Sequence, residues 1–154
     1  MRSSLIFILT LWAWVYGQSV QSEQTGSWSR KGFQEVQPWE LPARLSGKET
    51  KALRCILSES FTGKELVVVV GFWCSDSEDW IPVLLKGLEN FPEAKVLFYA
   101  LDRKKMGGED WKNSLKINLL PTFIVIENGL EKGRIEETPA SGILWKDLGE
   151  LLKN

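Results

Sequence analysis

Val67-Val68-Val69-Val70-Gly71-Phe72-Trp73-Cys74-Ser75-Asp76-Ser77 decides how the rest of the chain is read. Four consecutive valines predict a strand buried on both faces, because β-branched side chains suit a pleated sheet and nothing polar interrupts them. The run ends in Trp73-Cys74, and Ser75-Asp76-Ser77-Glu78-Asp79 follows. That acidic, hydroxyl-rich cluster predicts a helix start: Ser75 or Asp76 can cap orphan N–H groups, and carboxylates favour the positive end of the helix dipole. A cysteine therefore stands where a buried strand hands over to a helix. A thiolate there faces oriented N–H groups, which is one route to reactivity, although Asp76, Glu78 and Asp79 oppose it by like-charge repulsion. Position alone fits equally a reactive cysteine and a structural one packed beside a tryptophan.

Outward from this stretch, the pattern alternates. Phe33–Leu45 carries Pro38 and Pro42 around Val36, Trp39 and Leu41, which predicts a short edge strand and an extended connection rather than a helix. Gly47–Phe61 places Leu53, Ile56, Leu57 and Phe61 at helical spacing. Lys64–Phe72 is the buried strand. Ser75–Asn90 reads as a helix with Trp80, Val83, Leu84 and Leu88 inward and a kink at Pro82. Ala94–Leu101 is a second buried strand, ending in the charged loop Asp102-Arg103-Lys104-Lys105, a solvated loop or a source of positive charge near the thiol. Glu109–Ile117 is a short helix with Trp111 and Leu115. Thr122–Glu127 and Leu130–Glu137 flank Asn128-Gly129, a strong hairpin signal. Ile143–Lys153 closes with an amphipathic helix that includes Trp145.

Residues 1–17 read as a signal peptide. Arg2 gives the positive start, Leu5–Tyr16 is apolar but too short to span a bilayer comfortably, and Gly17 offers a cleavage site before Gln18. Residues 18–32 read as a flexible leader in which Trp28 has no evident role. Residues 33–154 form one domain of ordinary size. The expected mature chain is exported, to the periplasm or beyond the cell, with no membrane span after signal cleavage. Net charge is −1 and pI about 5.6, so nothing in the balance suggests a nucleic-acid partner. The chain has no histidine and two cysteines, which excludes a zinc site and a Cys–His–Asn nucleophile. Asp76, Glu78 and Asp79 together are caps before they are metal ligands, so neither metal nor cofactor is expected.

The element order, the Trp-Cys junction and a Pro-Thr ahead of the hairpin resemble the thioredoxin fold: an α/β architecture with a central mixed sheet and helices on both faces. The resemblance covers roughly Val36–Lys153. It rests on Phe72-Trp73-Cys74-x-Asp76-Ser77, on Leu120-Pro121-Thr122-Phe123-Ile124-Val125, and on Asn128-Gly129 with Gly133-Arg134-Ile135 and Glu137-Thr138-Pro139. It is similar in particular to exported bacterial thioredoxin-like proteins whose motif reads Trp-Cys-x-Asp-Ser and in which a strand ends in Asp-Arg-x-Lys. The resemblance implies that Cys74 is the exposed nucleophile, that Trp73 shields it, and that Pro121 is a cis-proline whose neighbours Leu120 and Thr122 help form the substrate groove. A cis X–Pro bond in a tight turn is an accessible conformation.

Two departures follow from the same comparison. The family's second cysteine, three residues after the first, is Ser77 here. A serine cannot resolve a mixed disulfide; it can donate a hydrogen bond to the sulfur. The buried acid that serves the second cysteine is replaced by Val68, six residues before Cys74. Cys55 does not restore the pair: midway along a helix that runs away from the site, it should lie on the order of 15 Å from Cys74, whereas a disulfide needs Cα atoms within about 7 Å. Cys55 is expected to be a small buried apolar residue, reactive only after unfolding. Two functions fit. One is a single-cysteine (CxxS) protein that forms mixed disulfides with a disulfide- or thiol-bearing protein or small thiol, with Cys74 and Ser77 as its chemical groups. The other is a thioredoxin-fold peptide-binding module without turnover.

Overall fold

The computed structural model describes residues 25–105 and 115–153. The segment read as a signal peptide, most of the stretch read as leader, and most of the helix expected over Glu109–Ile117 lie outside the described residues. The elements are β1 (Gly26–Ser29), α1 (Arg30–Val36), α2 (Gly47–Leu53), a 3₁₀ turn (Ser58–Phe61), β2 (Lys64–Val70), α3 (Ser75–Leu88), β3 (Lys95–Ala100), β4 (Thr122–Glu127), β5 (Leu130–Glu136) and α4 (Leu144–Lys153). The sheet order is β1-β3-β2-β4-β5. The valine strand β2 stands in the middle, parallel to β3 and antiparallel to β4. β4 and β5 form the hairpin, with Asn128 and Gly129 both at positive φ, the backbone that a two-residue type I′ turn requires. This is the thioredoxin fold.

Strand alternation divides the core. Leu66, Val68 and Val70 face a large cluster to which α1, α2, α3 and α4 contribute Phe33, Leu53, Leu84 and Leu148. Val67 and Val69 face a smaller cluster with Leu101, Ile117, Leu120 and Ile124. The larger core seats the helices; the smaller one lies under Cys74 and Pro121.

The N-terminal part differs from expectation. The edge strand is not in Phe33–Leu45 but earlier, at Gly26–Ser29, antiparallel to β3 and inside the stretch read as leader. Phe33 lies in a helix. Ser29 caps α1, accepting from Gly32 N–H, and Pro38 follows the helix end without preventing the turns before it. The determinant is aromatic packing that no local pattern reveals: Phe33 is fully buried, stacked on Phe98 at 4.1 Å between centroids and on Phe72 at 5.8 Å. Trp28 meets Phe33 and Phe72 edge-on, which gives it a role. Arg30 fastens α1 to the end of α3 by donating to Leu88 O (2.7 Å) and Phe91 O (2.9 Å); burial lowers its pKa from the usual arginine value, with Glu89 opposing.

The helix expected over Gly47–Phe61 stops at Leu53. Tight turns follow, with Cys55 N–H on Ala52 O and Ile56 N–H on Leu53 O. Such i,i+3 turns still deliver Ile56 and Phe61 to the core while Leu57 is left exposed, so the apolar spacing could not distinguish them from a continuous α-helix. The turns also expose Cys55, correcting the expectation that it is buried.

Two long-range contacts fix α4. The Glu49 carboxylate on α2, 6% exposed, accepts from Leu144 N–H (2.8 Å) and Trp145 N–H (2.9 Å). A carboxylate from another helix thus satisfies the orphan donors of α4. Trp145 lies against Gly87 of α3 so closely that a Cβ there would come within 2.0 Å of its ring, and its Nε1–H donates to Val83 O. Replacing Glu49 with Ala strands two buried donors, so the expected loss of stability is on the order of 2–3 kcal/mol. Glu49→Gln, which keeps an acceptor oxygen, should lose about half as much. Urea denaturation of the two variants beside wild type measures both.

Candidate active site around Cys74

β2 ends at Val70, and the chain turns at once. Cys74 N–H donates to Gly71 O at 2.9 Å, closing a turn over residues 71–74. Gly71 is required by close approach: a Cβ there would sit 2.9 Å from the Trp73 ring and 3.2 Å from Leu120 Cδ1. The helix then begins, and its N-cap is Cys74 itself rather than Ser75 or Asp76, with Glu78 N–H donating to Cys74 O. The Cys74 side chain makes no capping bond. The first-turn N–H groups of α3 are thus oriented toward the cap end, where negative charge is favoured.

The thiol is half-buried and donates to Leu120 O at 3.4 Å. Leu120 precedes Pro121 through a cis peptide bond, so the loop ahead of β4 lies directly against the cysteine. Two bonds hold that loop: Thr122 Oγ1 donates to Leu119 O (2.6 Å), and Glu137 N–H donates to Pro121 O (2.7 Å). Arg134 on β5 secures the segment before it, donating to Leu115 O and Lys116 O while paired with Glu131. That hydrogen-bonded pairing holds the Glu131 carboxyl below the usual range.

Trp73 is half-buried, with its Nε1–H on Leu101 O at 2.9 Å. Arg103 lies over the Trp73 ring at 5.4 Å, a cation–π distance. The loop Asp102–Lys105 therefore contributes a cation to the Trp73 side of the site, and Lys105 donates to Asn118 O.

Ser77 is fully buried, and its Oγ accepts from Gly71 N–H at 3.2 Å. The bond ties the first turn of α3 back to the residue that follows β2. Among the described residues this is its hydrogen-bond partner, so the hydroxyl has a structural task beside any it has toward sulfur.

The structure brings together Trp73, Cys74, Ser77, Leu120, Pro121 and Thr122. The side chains of Leu120 and Thr122 are buried; what they offer at the site is backbone and loop shape. Sequence reasoning missed Leu101 O and Gly71 N–H as anchoring groups, since backbone partners leave no mark on residue type. It also missed Leu119, exposed beside the cis-proline loop. Cys55 lies in a groove between α2 and α4, and both cysteines are free thiols. Among the described residues no cluster of three or more cysteine or acidic residues is placed to hold a metal ion, and no helix is long and apolar enough to cross a membrane.

No protein-family model matches the chain, and no characterised protein matches it by sequence. Solved structures do. A protein of unknown function from Pseudomonas aeruginosa is 17% identical, with a TM-score of 0.47, covering 80% of this chain and 77% of its own. Thioredoxin 2 from Pseudomonas aeruginosa, in its reduced form, is 20% identical, with a TM-score of 0.43, covering 73% and 94%. Thioredoxin O1 from Arabidopsis thaliana, oxidised, is 20% identical, with a TM-score of 0.45, covering 68% and 89%. Likeness at this level concerns chain path alone.

Two outcomes follow from the geometry. Ser77→Ala leaves the buried Gly71 N–H without its acceptor and should cost about 1–3 kcal/mol, read by thermal or urea unfolding; an unchanged stability would show that Gly71 finds another partner. Native alkylation followed by peptide mapping should modify Cys55 as well as Cys74, because Cys55 is exposed. Labelling of Cys55 only in denaturant would contradict the broken helix after Leu53.

Proposed function

We propose that the chain is an exported thioredoxin-like protein that exchanges disulfides through a single cysteine. The observation that carries this reading is the Cys74 thiol: half-exposed, at the start of α3, and 3.4 Å from the backbone oxygen of the cis-proline loop. In the proposed step the Cys74 thiol loses its proton to solvent, and the thiolate attacks one sulfur of a substrate disulfide. The Cys74–S bond forms as the substrate S–S bond breaks, and the departing thiolate takes up a proton. No electrons are gained overall: one disulfide replaces another. The product is a mixed disulfide, and Ser77 cannot attack it. Release requires a second thiol from solution or from another protein, which re-forms the Cys74 thiol and carries away the substrate as a disulfide. Trp73 and the loop Leu119–Thr122 border the approach to sulfur. Val68, fully buried where the family has an acid, leaves a dry apolar strand beneath the site. The signal-like segment at residues 1–17 supports export, and the partner class is a disulfide- or thiol-bearing protein or small thiol.

The test is to convert Ser77 to cysteine. Residues three apart share a helix face, so Ser77→Cys places a thiol within reach of the mixed disulfide. It should give dithiol-dependent reduction of a disulfide substrate and shorten the life of the adduct; the gain is limited, because Val68 offers no proton acceptor to the new thiol. Cys74→Ser should abolish adduct formation. Wild type that forms no adduct, with Cys74→Ser binding the same peptide equally well, would replace this reading with that of a peptide-binding module.

A further inference from the structure

α2 and α4 meet along a line where Gly149 lets Ile56 come within 3.0 Å of the position a Cβ would occupy. Beside this contact the two helices leave a cavity of about 540 Å³. Its size falls in the range of small-molecule sites, which are concave and mostly apolar with a few polar groups at the edge. Half-buried Ala52 and Ile143 give it apolar surface, the nearly buried Ile56 and fully buried Trp145 lie beneath, and four lysines stand around it: Lys48 and Lys51 on α2, Lys146 and Lys153 on α4.

The charge balance there is uneven. The whole chain has 19 basic and 20 acidic residues, yet Glu150 is the one acid that lines the groove. Glu150 reaches Lys146 only at 4.0 Å, a surface pairing of little strength. Lys48, Lys51 and Lys153 form no salt bridge among the described residues. The nearby acids are otherwise engaged: Glu49 is turned inward onto the N-terminus of α4, and Asp147 accepts from Ser141 N–H. Long lysine stems extend the apolar wall while their ammonium groups stay at the rim.

We propose that this groove binds a small amphipathic anion, a carboxylate on an alkyl chain, with the chain against Ala52 and Ile143 and the carboxylate among the lysines. The site is independent of the chemistry at Cys74. Apolar lining selects an alkyl body, and the lysine rim selects negative over positive or neutral heads. Association should weaken with salt, as contacts between exposed charges do.

Cys55 lines the groove and reports its occupancy. The full chain is alkylated under native conditions with decanoate below its aggregation concentration, and Cys55 is followed by peptide mapping. Decanoate should slow Cys55 modification saturably and leave Cys74 unaffected, while decanol and decyltrimethylammonium at equal concentration should not. Lys51→Glu and Lys146→Glu, surface changes that leave the core intact, should each weaken protection roughly three- to tenfold. Equal protection by the three amphiphiles, or none by decanoate, overturns the proposal. So does concentration-dependent dimerisation that shields Cys55 by itself, which would make the groove a contact between two copies. Tighter protection by an acidic helical peptide than by decanoate would assign it to a protein partner instead, and would equally overturn the small-anion site.

Discussion

When β2 ends, the N–H of Gly71 leaves the sheet ladder, and a buried donor must find an acceptor. Ser77 Oγ supplies it, from one turn into α3. This bond sets the distance and direction between the central strand and the helix. Everything at the site inherits that setting: Gly71 O takes the Cys74 N–H, Cys74 becomes the helix cap, and its thiol meets Leu120 O across the cis-proline loop. A glycine is needed at 71 because Trp73 and Leu120 close over it. The constraint also gives Ser77 a structural task. It is buried, it is bonded, and it keeps α3 seated.

The remainder of the fold acts on that arrangement from a distance. Trp73 is held by Leu101 O at the end of β3, and Leu101 N–H in turn donates to Val70 O at the end of β2. The cis-proline loop is anchored at Thr122 and Glu137, and Arg134 braces the segment that leads into it. On the opposite face, Glu49 and Gly87 fix α4 against α2 and α3, completing the core on which β2 rests. A thiol placed this way can exchange with a disulfide, yet it has no neighbouring thiol to end the exchange. Under the proposed exchange, the adduct would persist for as long as external thiol is scarce.

Much of this was legible in the sequence, and the reason differs by element. Four β-branched valines favour a strand buried on both faces, and Asn128-Gly129 is a strong hairpin signal, so β2, β4 and β5 follow from local rules. Pro121 as a cis residue came from resemblance, and the structure agrees. What escaped depends on partners far away in the chain. Phe33 is helical because Phe72 and Phe98 receive it, against the suggestion of the prolines downstream. Trp28 looks idle until β1 is laid on β3. Ile56 satisfies the helical spacing from a tight turn, and that turn exposes Cys55. Glu49 reads as an ordinary charged residue of an amphipathic helix; only α4, nearly a hundred residues later, shows why it is buried. At the site, residue types were readable but backbone partners were not.

The central claim is that Cys74 takes a disulfide partner covalently and cannot release it alone. The most direct measurement is intact mass over time after brief exposure to a disulfide-bearing peptide, with excess peptide removed and the modified residue mapped. The account predicts one peptide mass added at Cys74, stable in buffer and lost on addition of a small thiol. Absence of an adduct at Cys74, or one that decays without added thiol, would contradict it.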